Sequence, residues 1–257
     1  MQVILAALTI VLASLLPTQA KEKLQLGLSV DVIPIESDFA GRDIVVFGAI
    51  EDADQPSLYR GEYKVLIEVA GGLENAVVRK KSRVGGIWIN TASREYRDVP
   101  SFYSVATNSR ISDIADLSWF SSKGIGIDYL KAKLVDAGSI EAFLTQGEFS
   151  TALRRKRIEN GLFAENTTAL ELISPSLFRA AVSLPPNVPI GVHTVTAHLF
   201  HKGKKLDAVT QTFEVRKFGF EEWIYNLAHQ YSLIYGILCV LLAIATGWFA
   251  NLIFRKS

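Results

Sequence analysis

The stretch that decides the fold is Leu184–Val215, LPPNVPIGVHTVTAHLFHKGKKLDAVTQTFEV. Apolar and polar residues alternate along Val192–Phe200 and again along Leu206–Val215, and this period of two residues predicts two strands. Lys202-Gly203-Lys204 between them predicts a tight hairpin turn. The prolines before the first strand stop strand pairing, and Gly191 permits the bend into it. The segment therefore predicts the end of a β-rich domain.

Earlier parts of the chain show the same alternation. Further strands are predicted at Leu24 to Ile33, Asp43 to Ile50, Tyr63 to Val69, Ala76 to Lys80, Gly86 to Asn90, Leu170 to Ile173 and Leu177 to Leu184. The proline-rich entry at Leu184 followed by two alternating strands resembles the end of bacterial immunoglobulin-like modules. The predicted fold class is thus mainly β, an immunoglobulin-like β-sandwich at residues 21–217. Because helices interrupt the run of strands, two separate domains are the alternative to one sandwich.

Residues 111–160 have a different period. Ile114, Leu117 and Phe120 recur every three residues, which predicts short helices inserted in the sandwich. Later in this segment a basic run contains Arg154, Arg155 and Arg157, a candidate contact surface for anionic groups. The alternative is a solvated helix face, because consecutive residues of a helix are rotated by about 100° from one another.

Both ends of the chain indicate a membrane protein. Residues 1–20 contain an apolar run from Val3 to Leu16, interrupted only by Thr9 and Ser14, and end in small residues, which predicts a cleaved signal peptide. An uncleaved N-terminal anchor is the alternative, since no Lys or Arg precedes the apolar run. Residues 233–254 predict a transmembrane helix, because about 21 uncharged residues cover a hydrocarbon core of roughly 30 Å. Arg255 and Lys256 in the tail, residues 255–257, favour a cytoplasmic C-terminus.

Two features adjoin or lie in the predicted span. Residues 218–232 have an apolar stripe at helical spacing, which predicts a juxtamembrane amphipathic helix. Within the span, Ala243, Gly247 and Asn251 are each four residues apart and form a candidate ridge for contact with another helix. Small residues are also common in any span, so the ridge remains a hypothesis.

Composition and motifs favour no enzyme class. The chain has a formal net charge of +1, which gives no reason to expect nucleic acid as a partner, and its single cysteine, Cys239, lies in the predicted span. No serine elbow, catalytic cysteine or phosphate loop is present, so no catalytic residue and no cofactor are predicted. His193 and His201 share a strand face and form a weak metal hypothesis; the alternative is strand histidines on a solvated face, with His198 on the other side.

Several short motifs also indicate a family. Val45-Val46-Phe47-Gly48, Gly86-Ile87-Trp88-Ile89-Asn90, Asp98-Val99-Pro100-Ser101-Phe102-Tyr103 and the tail from Tyr235 to Arg255 resemble an uncharacterised family of alphaproteobacterial transmembrane proteins. The resemblance implies a Gram-negative inner membrane with the domain in the periplasm. It also implies a membrane-protein partner, a permease of the sulfite-exporter type.

The sequence therefore favours a membrane-anchored, non-enzymatic accessory protein, in contact with the lipid bilayer through its C-terminal helix. The alternative is a periplasmic small-ligand receptor or enzyme with a pocket between the helical insert and the sandwich.

Overall fold

A computed structural model describes residues 22–135 and 140–254 of the chain, so the predicted signal peptide and the tail at 255–257 lie outside the described residues. The strands are β1 (Lys23–Leu28), β2 (Val32–Ile35), β3 (Arg42–Glu51), β4 (Tyr63–Ala70), β5 (Leu73–Val84), β6 (Ile87–Pro100), β7 (Tyr103–Thr107), β8 (Lys133–Leu134), β9 (Phe163–Asn166), β10 (Leu170–Leu172), β11 (Leu177–Leu184), β12 (Gly191–His201) and β13 (Lys204–Lys217). The helices are α1 (Gln55–Tyr59), α2 (Ile111–Ile114), α3 (Leu117–Lys123), α4 (Ile140–Glu159), α5 (Phe220–Gln230) and α6 (Ser232–Phe254), with a 3₁₀ turn at Ile127–Tyr129.

Two sheets form a sandwich. One has the strand order β1-β3-β11-β10 and the other β2-β13-β12-β4-β7-β9. This is the immunoglobulin arrangement, in which strands A, B, E and D form one sheet and G, F and C the centre of the other. The prediction of a mainly β, immunoglobulin-like sandwich with a helical insertion and one C-terminal apolar helix is confirmed.

The sandwich core follows from strand alternation. Along β11 every second residue is buried, and the facing strands contribute the same pattern. The fully or nearly fully buried side chains at this interface include Ile44, Val46, Val65, Ile67, Val69, Phe178, Val182, Val195, Leu199, Phe213 and Val215. Gly48 in β3 has no room for a side chain, because a Cβ there would lie 2.2 Å from the carbonyl oxygen of Gln25. The centre of this sheet therefore requires glycine at this position.

The N-terminal strand differs from its prediction. Instead of one strand from Leu24 to Ile33, β1 pairs antiparallel with β3 and β2 pairs parallel with β13 in the opposite sheet. The chain changes sheets at Ser29–Asp31, a switch that alternating hydrophobicity cannot reveal because both halves bury one face.

The predicted strands Ala76 to Lys80 and Gly86 to Asn90 are too short. In the structure β5 and β6 form one long hairpin over Leu73–Val84 and Ile87–Pro100, and β6 also pairs with β8. The outer part of this hairpin is exposed on both faces, so burial periodicity gives no signal for its length.

The helical insert lies between β7 and β9 and covers the outer face of the six-stranded sheet. Phe200 on β12 is fully buried beneath it, with its ring centroid 5.0 Å from that of Trp119 and 6.2 Å from that of Phe120. The insert thus extends the hydrophobic core of the sandwich to the outer face of this sheet.

At the C-terminus, α5 lies within the predicted amphipathic segment 218–232, and α6 matches the predicted span to within one residue at its start. Tyr231 separates the two helices with a non-helical backbone (φ −126°, ψ 48°). The segment Ser232–Asn251 of α6 is long and apolar enough to cross a membrane, and no part of it is buried against the domain.

Candidate functional site

His193 is a core residue of the sandwich. It is 1% exposed, its ring stacks on Phe213 at a centroid distance of 5.1 Å, and its Nδ1 lies 3.1 Å from the carbonyl oxygen of Gly191. Burial lowers the pKa of His193, so the ring is neutral in the folded protein at neutral pH. A neutral ring with its proton on Nδ1 can donate to Gly191, while its Nε2 is buried without a hydrogen-bond partner among the described residues. His193 therefore serves the packing of the core.

The metal hypothesis gains no support from the geometry. His201 stacks on Tyr63, and its Nε2 lies 3.2 Å from Glu62 Oε2, a neighbourhood that His193 does not share. Within residues 22–135 and 140–254, no group of three or more His, Cys, Asp or Glu side chains is placed to hold a metal ion. The alternative of histidines on a solvated face is wrong for both His193 and His198, which are buried.

A buried polar cluster joins the insert to the sheet. Tyr103 Oη accepts a hydrogen bond of 2.8 Å from the backbone N–H of Gly126, and burial, with the nearby Glu68 carboxylate adding to it, raises the pKa of Tyr103. His198 Nε2 lies 3.6 Å from Glu68 Oε2, and the edge of Trp119 covers the imidazole ring. The insert shields the cluster from solvent. These side chains therefore hold the insert against the sheet and do not form an open site. Its members come from three separate strands, so no sequence motif reveals it.

The insert and the long hairpin enclose a cavity of about 320 Å³. Apolar walls come from Val99, Leu130 and Leu153, among others, while Lys131 and Arg154 contribute positive charge. The Tyr96 hydroxyl in this cavity donates to the carbonyl oxygen of Gln146, and burial raises the pKa of Tyr96.

The structure does not bring the three arginines of α4 to one surface. Arg154 lines the cavity and donates to the carbonyl oxygen of Asp128 at 3.3 Å. Arg155 lies 3.8 Å from Glu159 and next to the hairpin strand β5, whereas Arg157 forms an ion pair with Glu74. A single basic contact surface formed by Arg154, Arg155 and Arg157 is therefore not present, because the helix directs each side chain to a different neighbour.

The tip of the long hairpin, defined as residues 82–91, is exposed. Gly85 and Gly86 have positive φ angles of 60° and 89°, as a two-residue turn between twisted strands requires. Ile87 and Trp88 are 67% and 68% exposed. These residues belong to a motif that resembles the family, and the sequence predicts no function for them.

In the span, Ala243, Gly247 and Asn251 lie along one side of α6, and all three are exposed. The structure contains no second membrane helix beside them among the described residues. Contact with a partner helix stays a prediction.

The family model described as "Putative transmembrane protein (Alph_Pro_TM)" matches residues 23–256, nearly all of the described chain. The chain belongs to this family. The predicted membership is confirmed, and the transmembrane description agrees with the exposed apolar helix α6. The family's description names no enzymatic activity. The chain is therefore a membrane-anchored member of the family.

No curated protein matches this family member. Among solved structures, the chain is similar to AggA, the major subunit of aggregative adherence fimbriae type I from Escherichia coli. The sequence identity is 9%, the TM-score is 0.27, and the match covers 78% of this chain and 98% of AggA.

Proposed function

We propose that this family member is a non-enzymatic accessory protein in a bacterial inner membrane, with its β domain in the periplasm and a membrane protein as its partner. The supporting observation is the contrast between enclosed polar groups and exposed apolar ones. His193, Tyr103 and His198 are buried under other side chains, whereas α6 and the hairpin tip expose their apolar residues. A protein of this kind is suited to contacts rather than to catalysis.

The orientation rests on the two ends of the chain. A signal peptide at residues 1–20 would export the domain, and Arg255 and Lys256 favour a cytoplasmic tail. The partner suggested by the family resemblance is a permease of the sulfite-exporter type. Its helices would contact the small-residue ridge at Ala243 and Gly247, where a close approach is sterically possible.

Co-purification from native membranes tests this proposal. We expect the tagged full-length chain to recover a membrane protein in mild detergent, and Gly247→Leu to reduce that recovery about tenfold, because a leucine would block the close helix approach and a loss of about 1.4 kcal/mol is a factor of ten. The readout is the amount of partner per tagged chain by quantitative mass spectrometry.

Ala245→Leu is the matched control, because it adds a similar bulk on the opposite side of the same helix. Recovery of the partner should be unchanged in this variant. If the wild-type chain purifies alone under the mildest conditions that solubilise it, the proposal is wrong.

The cavity between insert and hairpin supports a second candidate, a periplasmic receptor or enzyme for a small ligand. A volume of about 320 Å³ falls within the range of small-ligand sites. Lys131 and Arg154 would suit a small carboxylate with an apolar body.

Thermal unfolding of the full-length chain in detergent with a panel of small carboxylates tests this second candidate. A ligand at one hundred times its Kd stabilises a protein by about 2.7 kcal/mol, which raises Tm by several degrees. Arg154→Ala should abolish the rise, and Arg155→Ala, which lies outside the cavity, should retain it. No Tm shift with any carboxylate would remove the support for a carboxylate receptor.

A further inference from the structure

The long hairpin is a continuation of the sandwich. Between β4 and β7 the ladder continues through backbone hydrogen bonds from Gly71 N–H to Phe102 O and from Ser101 N–H to Gly72 O. The pairing of Leu73 with Pro100 then begins the hairpin β5–β6 without a break. The two hairpin strands therefore prolong the six-stranded sheet beyond its end.

The chain leaves the six-stranded sheet toward the membrane helix at this same end of the sheet. Ala70, the last residue of β4, is level with Thr194 of β12, which is level with Thr212 of β13. From this level β13 runs on to Lys217 and then to α5 and α6. The hairpin and the membrane anchor thus leave the same end of the same sheet.

The hairpin is long enough to reach the bilayer. Its twelve-residue strand β5 spans about 40 Å at roughly 3.3 Å per residue. From Thr212 to the span, the rest of β13 with residues 218 and 219 covers at most about 23 Å, and the eleven residues of α5 cover about 17 Å, so the two paths are similar in length. The hairpin therefore has sufficient length to bring its tip to the start of the membrane.

The two faces of the tip differ in chemistry. In the register of the hairpin, Val84 lies opposite Ile87, and Ile89 follows on the same face opposite Ser82, so this face is apolar at the end of the hairpin. On the other face Arg83 lies opposite Trp88. The tip therefore has one apolar face, and an exposed indole and a cation lie on the other face.

The outer part of the hairpin carries only positive charge. No Asp or Glu occurs between Asn75 and Arg94, a segment that contains the basic residues Arg79, Lys80, Lys81, Arg83 and Arg94. Lys80 contacts Glu148 of α4, and Arg94 donates to Thr145 of the same helix, so these two cations belong to the packing of the hairpin root. Arg79 is exposed beside them, and Lys81 and Arg83 are exposed nearer the tip.

We propose that the hairpin tip is a second membrane contact of this protein, which inserts Val84, Ile87, Trp88 and Ile89 into the interface of a bilayer that contains anionic lipids. Apolar side chains enter the boundary between headgroups and acyl chains, an indole is stable at that depth, and Lys81 and Arg83 bind lipid phosphates. The contact goes beyond the proposed partner binding, because it needs lipid alone. It holds the domain at the membrane surface by two points instead of one.

Site-directed fluorescence in reconstituted vesicles tests this inference. The full-length chain carries Cys239→Ser and one new cysteine, either Ile87→Cys at the tip or Tyr59→Cys at the opposite end of the sheet, labelled with an environment-sensitive dye. The vesicles contain phosphatidylcholine with or without phosphatidylglycerol, and a nitroxide on the lipid acyl chain quenches dyes that enter the bilayer. We expect a blue shift and quenching at position 87 in anionic vesicles and neither at position 59, which is 75% exposed in the wild-type protein.

The role of the cations is tested by Lys81→Gln with Arg83→Gln in the Ile87→Cys chain. Each cation near an anionic surface contributes about fivefold to binding, so this double variant should reduce the association of the tip about thirtyfold. In vesicles of phosphatidylcholine alone, or at high salt, the difference between the two chains should disappear.

Two results would overturn the inference. The first is equal emission and equal quenching at positions 87 and 59 in every vesicle. The second is a blue shift at position 87 in native membranes but not in pure anionic vesicles, which would make the occupant of the tip a protein. Co-purification of the partner does not depend on the hairpin cations, so the proposed function and this inference can fail separately.

Discussion

Phe200→Ala is expected to lower the free energy of unfolding of the extramembrane domain by about 3 to 5 kcal/mol. Phe200 is fully buried between β12 and the helical insert, with Trp119 perpendicular to it at 5.0 Å. Truncation would leave a cavity and remove the contact that holds the insert on the sheet. Denaturant unfolding of the full-length chain in detergent, followed by near-ultraviolet circular dichroism, measures the loss.

Tyr59→Ala is the control for this prediction, because it also removes an aromatic ring but from a side chain that is 75% exposed. Its cost should be below about 1 kcal/mol. Equal costs for the two variants would show that the insert does not pack on Phe200. Two separate unfolding transitions in Phe200→Ala, with the later one at the wild-type position, would show that the insert unfolds independently.

The second large effect is expected in the span. Leu241→Arg together with Leu242→Arg places two charges near the centre of Ser232–Asn251, at a cost of about 2.5 to 3.5 kcal/mol for each arginine. The combined cost of about 5 to 7 kcal/mol should move most of the protein out of the membrane fraction. Extraction of membranes with alkaline carbonate, which removes peripheral proteins, measures the fraction that remains.

The double substitution to phenylalanine at the same two positions is the control and should leave the chain in the membrane. The mass of the N-terminal peptide is measured in the same samples. If the arginine variant stays in the membrane after residues 1–20 have been removed, α6 is not the anchor. Retention with residues 1–20 still attached would assign anchoring to the N-terminal segment instead.

The membrane contact proposed for the hairpin would fix the orientation of the domain, which α5 and α6 alone do not fix. Tyr231 interrupts the helices between β13 and the span, and Gly219 precedes α5 with a positive φ of 93°, so the tether has two changes of direction. A single tether of this kind leaves the orientation of the domain open. A tip that inserts beside it would hold the end of the sheet toward the bilayer and present the insert to a partner at a defined height.

The sequence alone was sufficient for features that depend on neighbours along the chain. The span at 233–254 follows from its composition, since about 21 uncharged residues in a row are unfavourable in water and sufficient for a bilayer. The strands at Val192–Phe200 and Leu206–Val215 were predicted from an alternation of apolar and polar residues that lies within each strand, and the structure has strands at both places. The immunoglobulin-like class was also predictable, because the turn and proline signals lie within one continuous segment.

Only the tertiary structure decided which strands and side chains meet. Alternation shows that β1 and β2 each bury one face, but it cannot assign them to opposite sheets, because burial against either sheet has the same pattern. Glu68, Tyr103 and His198 are far apart in sequence and adjacent only through the pairing of β4 with β7 and β12. The length of the hairpin could not be predicted for a different reason. Its outer strands pair with each other and bury neither face, so hydrophobic periodicity gives no signal for them.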